Sequence, residues 1–275
     1  MKFVIKLQKR KLKKGKLMLI SKDEIKKYLD NIPPIPKYAF ECLNALKIGD
    51  LKKAADAAEN DLILKKQIEK IVNSAAFSLR NKVDNTLQLF TLLGLENVRA
   101  IVYSYLVSLL QPKEWKIFKL DFGEFQKDFL NYYKKFASLE FGQETYKKYS
   151  EIGAIIPASV CVCDSLLGDK KEKLNIILNS APLEYGTLLK RLTGESLFGI
   201  AATIAELWEL EKEKCEIIKK SECEICDNPI SALTHFIFFY LVSKPTFMDL
   251  NSLIEFNPKC IEYIPKTYER INNDS

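Results

Sequence analysis

One histidine, seven cysteines and 36 acidic side chains are what this 275-residue chain has for building a reactive centre. The histidine, His235, lies within the apolar stretch Ile230–Val242, where a packed, hydrogen-bonded core imidazole is expected rather than a ligand or a base. Metal-assisted hydrolysis of phosphate esters needs several imidazoles and carboxylates converging at about 2 Å from the metal. A histidine-rich binuclear site is therefore excluded. Cys223 and Cys226 have C-x-x-C spacing, with Cys215 and Cys260 elsewhere. A zinc site would need all four to converge, and a thioredoxin-like redox motif needs a preceding strand, which Lys219-Lys220-Ser221-Glu222 does not supply. Neither is expected. Cys161 and Cys163 are two apart and would face different sides of a helix. The chain has no P-loop, no G-x-G-x-x-G and no G-x-S-x-G elbow, and a Ser-His-Asp triad has only His235 to draw on. No catalytic, cofactor-binding or metal residues are expected.

The net charge of +6 is carried by one end of the chain. Residues 1–17 hold eight lysines and arginines and no acid, which leaves 34 basic against 36 acidic residues in the rest. The body is near neutral and exerts no global pull on nucleic acid. The first 20 residues are expected to be a solvated basic tail, or the product of a start codon placed upstream of Met18; a basic arm for anionic lipid or RNA is the sharper alternative. Seven irregularly spaced cysteines without a secretory leader suggest reduced thiols in a cytoplasm. No apolar run reaches the roughly 18 residues of a membrane span.

The elements that must position these residues are helices. Ser21 and Glu24 have capping-box spacing and open a short helix. Pro33, Pro34 and Pro36 fix an extended entry to a helix running to about Leu46, and Gly49-Asp50 ends it and caps the next. Asp61 caps a run with Leu62, Leu64, Ile68, Ile71 and Val72 at helical spacing. Asn73–Asn85 reads as a turn, followed by two helices meeting at Gly94. That helix–corner–helix outline raises a helix-turn-helix, but the second helix offers only Asn97 and Arg99 for base contacts. Phe122, Phe125, Phe129, Tyr132, Tyr133 and Phe136 form a stripe that suits a core face better than a ligand box, and Ile152–Leu167 reads as one central buried helix.

This order of features resembles the HDOD family, the HD-related output domain of bacterial signalling proteins. The family's leucine-proline-x-leucine-proline segment is matched by Ile32–Pro36, and its aspartate-capped helix from Asp61. Its alanine-asparagine-serine-x-x-phenylalanine segment is matched by Val72–Phe77, and its leucine-leucine-glycine-leucine corner by Leu92–Leu95 with Arg99 beyond. Ser78 departs from the family's usual glycine. In the second half, Gly194, Ala202, Glu206 and Trp208 fit the glycine-to-tryptophan pattern without a gap. The pattern's aspartate and histidine are Ser196 and Leu197 here, and the histidine-aspartate pair of the parent HD superfamily best matches Cys163-Asp164. The resemblance runs from about Ile32 to Val242. It implies that Cys163, Asp164, Ser196 and Leu197 are the vestigial positions of a lost metal site.

The expected fold is all-α, two packed helical bundles of HDOD and degenerate HD-like type. A basic tail occupies 1–20, the HDOD N-terminal bundle 21–110, a connector 111–120 and the degenerate bundle 121–275, with no room for an attached sensor, receiver or GGDEF domain. The expected function is a non-catalytic signalling module in a bacterium that binds a protein partner or a small nucleotide-type ligand. Alternatives are a metal-dependent phosphohydrolase with atypical ligands and a nucleic-acid-binding regulator, the latter disfavoured by charge. Asn73, Phe77, Arg80, Lys82 and Arg99 form the candidate interaction surface.

Overall fold

Local capping chemistry sets the first helices. The Ser21 hydroxyl accepts from the Glu24 N–H at 3.2 Å while Glu24 Oε2 accepts from the Ser21 N–H at 2.7 Å, opening α1 (Lys22–Asp30). Pro36 precedes α2 (Lys37–Lys47), which buries Ala39, Cys42, Leu43, Ala45 and Leu46. Gly49, at φ +78°, turns the chain, and Asp50 caps α3 (Leu51–Glu59) through the Lys53 N–H at 2.9 Å. Asp61 caps α4 (Leu62–Val72), and its second oxygen accepts from the Tyr105 hydroxyl at 3.0 Å. Asn85 caps α5 (Thr86–Leu93), and Gly94 at φ +77° makes the corner into α6 (Leu95–Ser108).

This computed structural model describes residues 20–72, 83, 85–118, 121–178, 185–243 and 250–274, and among them every regular element is helical. The candidate recognition helix, α6, is a core helix: Val98 and every residue from Ala100 to Val107 are buried. Asn97 is also taken, donating to the Leu93 carbonyl at 2.7 Å and accepting from the Tyr146 hydroxyl at 2.8 Å. A helix so enclosed cannot enter a groove of DNA.

The second bundle starts at α7 (Phe122–Phe141), capped by Asp121. Phe122, Phe125, Phe129, Tyr133 and Phe136 are buried along one face, as a core stripe requires. It packs on α8 (Gln143–Ile155), which in turn lies against α6 of the first bundle. The apolar run from Ile152 is not one helix. A turn at Ile156–Pro157 separates α8 from α9 (Ala158–Gly168), because proline lacks the N–H and crowds the carbonyl four residues back. Taken together, Gln143–Gly168 is long and apolar enough to cross a membrane, contrary to the sequence expectation. Its apolar window is 89% buried inside the protein, so it serves as the core here.

The remaining helices are α10 (Lys171–Leu178), α11 (Tyr185–Thr193), α12 (Leu197–Leu207), α13 (Lys212–Lys220), α14 (Pro229–Ser243) and α15 (Pro265–Asp274), with 3-10 turns at Leu250–Ser252 and Pro258–Tyr263. The first helix reaches across to this half: Glu24 pairs with Lys170 at 2.9 Å and Lys22 with Glu195 at 3.4 Å.

Candidate functional site

The four positions matched to the HD pattern lie on two helices that pack together, Cys163 and Asp164 on α9 and Ser196 and Leu197 at the start of α12. Asp164 is 1% exposed on α9. Its carboxylate accepts three backbone N–H groups: Lys116 at 3.0 Å, Ile117 at 2.7 Å and Phe118 at 2.9 Å. The connector is thus strapped over α9 by one side chain. Lys116 adds an ion pair to Asp169 just beyond the helix end. Cys163 is fully buried, and desolvation with the nearby Asp164 and Glu255 charges pushes its thiol far above the usual range. Ser196 caps α12, accepting from the Gly199 N–H at 3.0 Å, and its hydroxyl donates to Glu222 at 3.2 Å. Leu197 lines an apolar void of about 30 Å³ with Phe118, Phe198, Phe238 and Phe239, room for about one water molecule.

A metal does not fit this donor set. Leu197 offers no ligand atom, Ser196 is used as a cap, and Asp164 already serves three backbone donors. Among the described residues no group of three or more histidine, cysteine, aspartate or glutamate side chains has metal-binding geometry. His235 is fully buried: Nδ1 donates to the Ser221 carbonyl at 2.8 Å, and Nε2 accepts from the Asn257 N–H at 2.9 Å. Phe198, Phe239 and Phe256 surround the ring. Burial, only partly offset by the Ser221 bond, brings its pKa down to about 4, so the imidazole is neutral and both nitrogens are occupied. The four cysteines weighed for zinc do not converge. Among the described residues no three cysteines have metal-binding geometry, and the Cys215 thiol rests 3.6 Å from the Leu210 carbonyl.

A larger cavity of about 340 Å³ opens next to the start of α12, lined by Phe198 and by Glu222, the partner of Ser196. Phe198, Phe239 and Phe256 form its apolar wall. Lys190, its lining cation, pairs with Glu222 and, at 3.0 Å, with Glu224, and Glu255 also faces the space. Carboxylates outnumber cations along this lining, which opposes entry of nucleotide phosphates.

One charged group was not legible as a site member from the sequence. Glu151 on α8 is completely buried and pairs with Arg99 Nε and Lys214 Nζ, each at 2.9 Å. Glu211 closes the set, pairing with Arg99 and, at 3.0 Å, with Lys214. Burial works against ionisation of Glu211, but Arg99 and Lys214 outweigh it and take its pKa down to about 2. Arg99, expected on an interaction surface, therefore has an internal role, with its side chain only 16% exposed. The other members of that surface, Asn73, Phe77, Arg80 and Lys82, lie outside the described residues. The signal for the cluster was a glutamate abutting the apolar run Ile152–Leu167, where no solvated face exists to receive it.

Residues 32–121 match the family model of the HDOD domain. The chain carries an HDOD domain. The matched span includes α2–α6 and the connector, so the three N–H groups bound by Asp164 belong to the HDOD segment. No curated protein matches the chain. Solved structures resemble nearly all of it. An HDOD domain protein with unknown function from Geobacter sulfurreducens has a TM-score of 0.63 at 14% identity, covering 92% of this chain and 89% of its own. A candidate phosphohydrolase from Shewanella amazonensis reaches 0.62 at 15%, covering 89% and 93%. A candidate signal-transduction protein from Marinobacter aquaeolei reaches 0.58 at 14%, covering 90% of this chain and 60% of its own. At such identities the likeness carries the fold. The likeness in fold continues through the second bundle, beyond the span matched by sequence.

Proposed function

We propose that this protein is a non-catalytic regulatory module of a bacterial signalling pathway, acting by binding a protein partner. The observation that carries the non-catalytic part is Asp164. It is the one carboxylate at the vestigial positions, and its oxygens hold the connector through three backbone N–H groups. A carboxylate serving as a structural strap is not disposed to ligate a hydrolytic metal. The signalling context is supported by the HDOD match and by the resemblance to the Marinobacter protein. A protein partner is favoured over a nucleotide because the 340 Å³ cavity presents more carboxylates than cations.

A second reading, a metal-dependent phosphohydrolase with atypical ligands, draws on the Shewanella neighbour. One experiment separates the two. Purified protein is analysed for iron, manganese and zinc, then assayed on nucleotides, cyclic dinucleotides and phosphate monoesters with each divalent ion. The regulatory reading expects substoichiometric metal and no turnover. Stoichiometric metal with turnover that Asp164→Asn abolishes, in a variant that remains folded, establishes the hydrolase.

A further inference from the structure

The turn between α13 and α14 holds thiols that the proposed function leaves unused. Cys226 Sγ lies 3.9 Å from the Cys223 carbonyl, so the second thiol of the C-x-x-C folds back over the backbone of the first. Three residues apart in one turn, with the Cys226 thiol beside the Cys223 carbonyl, the two side chains are placed for a short-range bridge. Residues 221–228 contain no helix or strand, and Cys223 stands at φ +51°, a conformation side chains rarely adopt. Cys226 is half-buried, whereas Cys42, Cys161, Cys163 and Cys215 are enclosed in the core. Cys223 also forms part of the wall of the 340 Å³ cavity. Its carbonyl is held by Asn257 at 2.7 Å, and its neighbours Glu222 and Glu224 grip Lys190. A change in this turn is therefore felt at the cavity.

We propose that Cys223 and Cys226 form a reversible disulfide, a modification site that reshapes the cavity wall. The oxidant is a small-molecule disulfide. The accessible Cys226, as thiolate, attacks one sulfur of that disulfide, forming a mixed disulfide and releasing one thiolate. Cys223 then attacks the Cys226 sulfur, forming the internal bridge and releasing the second thiolate. The two cysteine protons pass to the leaving thiolates, and the two electrons leave with them, so the oxidant ends as two thiols. Burial raises both thiol pKa values, with Cys223 far above the usual range. The exchange is accordingly slow at neutral pH and quickens as pH rises.

The test uses the full chain, folded, with oxidised glutathione at about pH 8.5, near the ordinary thiol pKa. Thiols are counted by alkylation after denaturation, and peptides are mapped by mass spectrometry. Free thiols should fall from seven by two, with loss of two hydrogens in mass and one peptide linking Cys223 to Cys226. Dithiothreitol should restore all seven. Cys260→Ser should leave the bridge intact, and Cys223→Ser should stop the reaction at a mixed disulfide on Cys226. Seven free thiols after treatment, a bridge to Cys260, or oxidation only in denaturant overturns the proposal. None of these readouts depends on a partner or on metal content.

Discussion

Arg99 Nε, on α6 of the HDOD domain, lies 2.9 Å from Oε1 of Glu151, a fully buried carboxylate on α8 of the second bundle. The pair joins the two halves at their main contact. Removing one partner leaves a buried charge poorly compensated, which costs far more than the intact pair contributes. Arg99→Met should lower unfolding free energy by about 3 kcal/mol. Glu151→Gln should do likewise, because Arg99 and Lys214 both lose a carboxylate. In a double-mutant cycle the combined variant should cost clearly less than the two single costs added together. Urea denaturation measures all three. Simple additivity would show that the contact contributes no coupling.

Asp164 should behave as a structural residue. Asp164→Ala leaves the N–H groups of Lys116, Ile117 and Phe118 without their acceptor, a loss of about 3 kcal/mol or more if they stay buried. Asp164→Asn keeps one acceptor oxygen and should cost about half as much. Hydrogen exchange at these three amides is the direct reading: it should accelerate strongly in Asp164→Ala, while amides on α2 and α3 are less affected. Unchanged exchange at 116–118 would remove the strap from the account.

His235 makes pH dependence simple to read, because it is the single histidine. Its pKa falls from the ordinary histidine value of 6.5 to about 4 in the fold, through burial. The unfolded chain therefore takes up a proton first as pH drops. The stability linked to His235 is fully present above about pH 6.5 and is lost as pH falls through about 4, at close to 1 kcal/mol per pH unit within that window. Its imidazole carbon-bound proton resonance should keep the neutral chemical shift from pH 8 to about pH 5. A midpoint near 6.5 would place the ring in water and contradict the two hydrogen bonds.

The N-terminal helices were legible because their ends are local. Ser21, Asp50, Asp61 and Asn85 each act within three residues, and Gly94 needs only its own backbone freedom. The HDOD segment was legible for the same reason, since its marks are caps, prolines and corners. Spacing matches Cys163, Asp164, Ser196 and Leu197 to the HD pattern and leaves Asp164 as a residue that caps or hydrogen-bonds near the helix end, without naming its partners. That Asp164 straps residues 116–118, nearly fifty positions earlier in the chain, is a tertiary fact with no local trace. The Arg99–Glu151–Lys214–Glu211 cluster was hidden more deeply. Lys214 and Glu211 sit in a stretch, Glu209–Glu216, that reads as a solvated surface, and only the fold turns them inward toward Glu151. The break at Pro157 was legible in principle, but a run of apolar side chains around it masked the missing N–H.

Gly153 gives a sharper test of the packing between α7 and α8. In an open helix, glycine to alanine is stabilising by about 1 kcal/mol, because alanine restricts the unfolded chain. Here a Cβ at Gly153 would stand 2.7 Å from Tyr133 Cγ and 2.9 Å from its Cβ, closer than real side chains pack. Tyr133 is 1% exposed and has no room to retreat. Gly153→Ala should therefore reverse sign and destabilise by about 1–3 kcal/mol, the usual cost of overfilling a tight core. Two of the three closest contacts, Tyr133 Cγ and Cδ1, belong to the ring and go with it. In a Tyr133→Ala background, itself weakened by about 3–5 kcal/mol, adding Gly153→Ala should cost at least about 1 kcal/mol less than it does alone. Denaturant midpoints of the four proteins decide the matter. If Gly153→Ala stabilises the parent as it would an exposed helix, α7 and α8 are not pressed together at Tyr133. The buried face that carries Glu151 would then be looser than described.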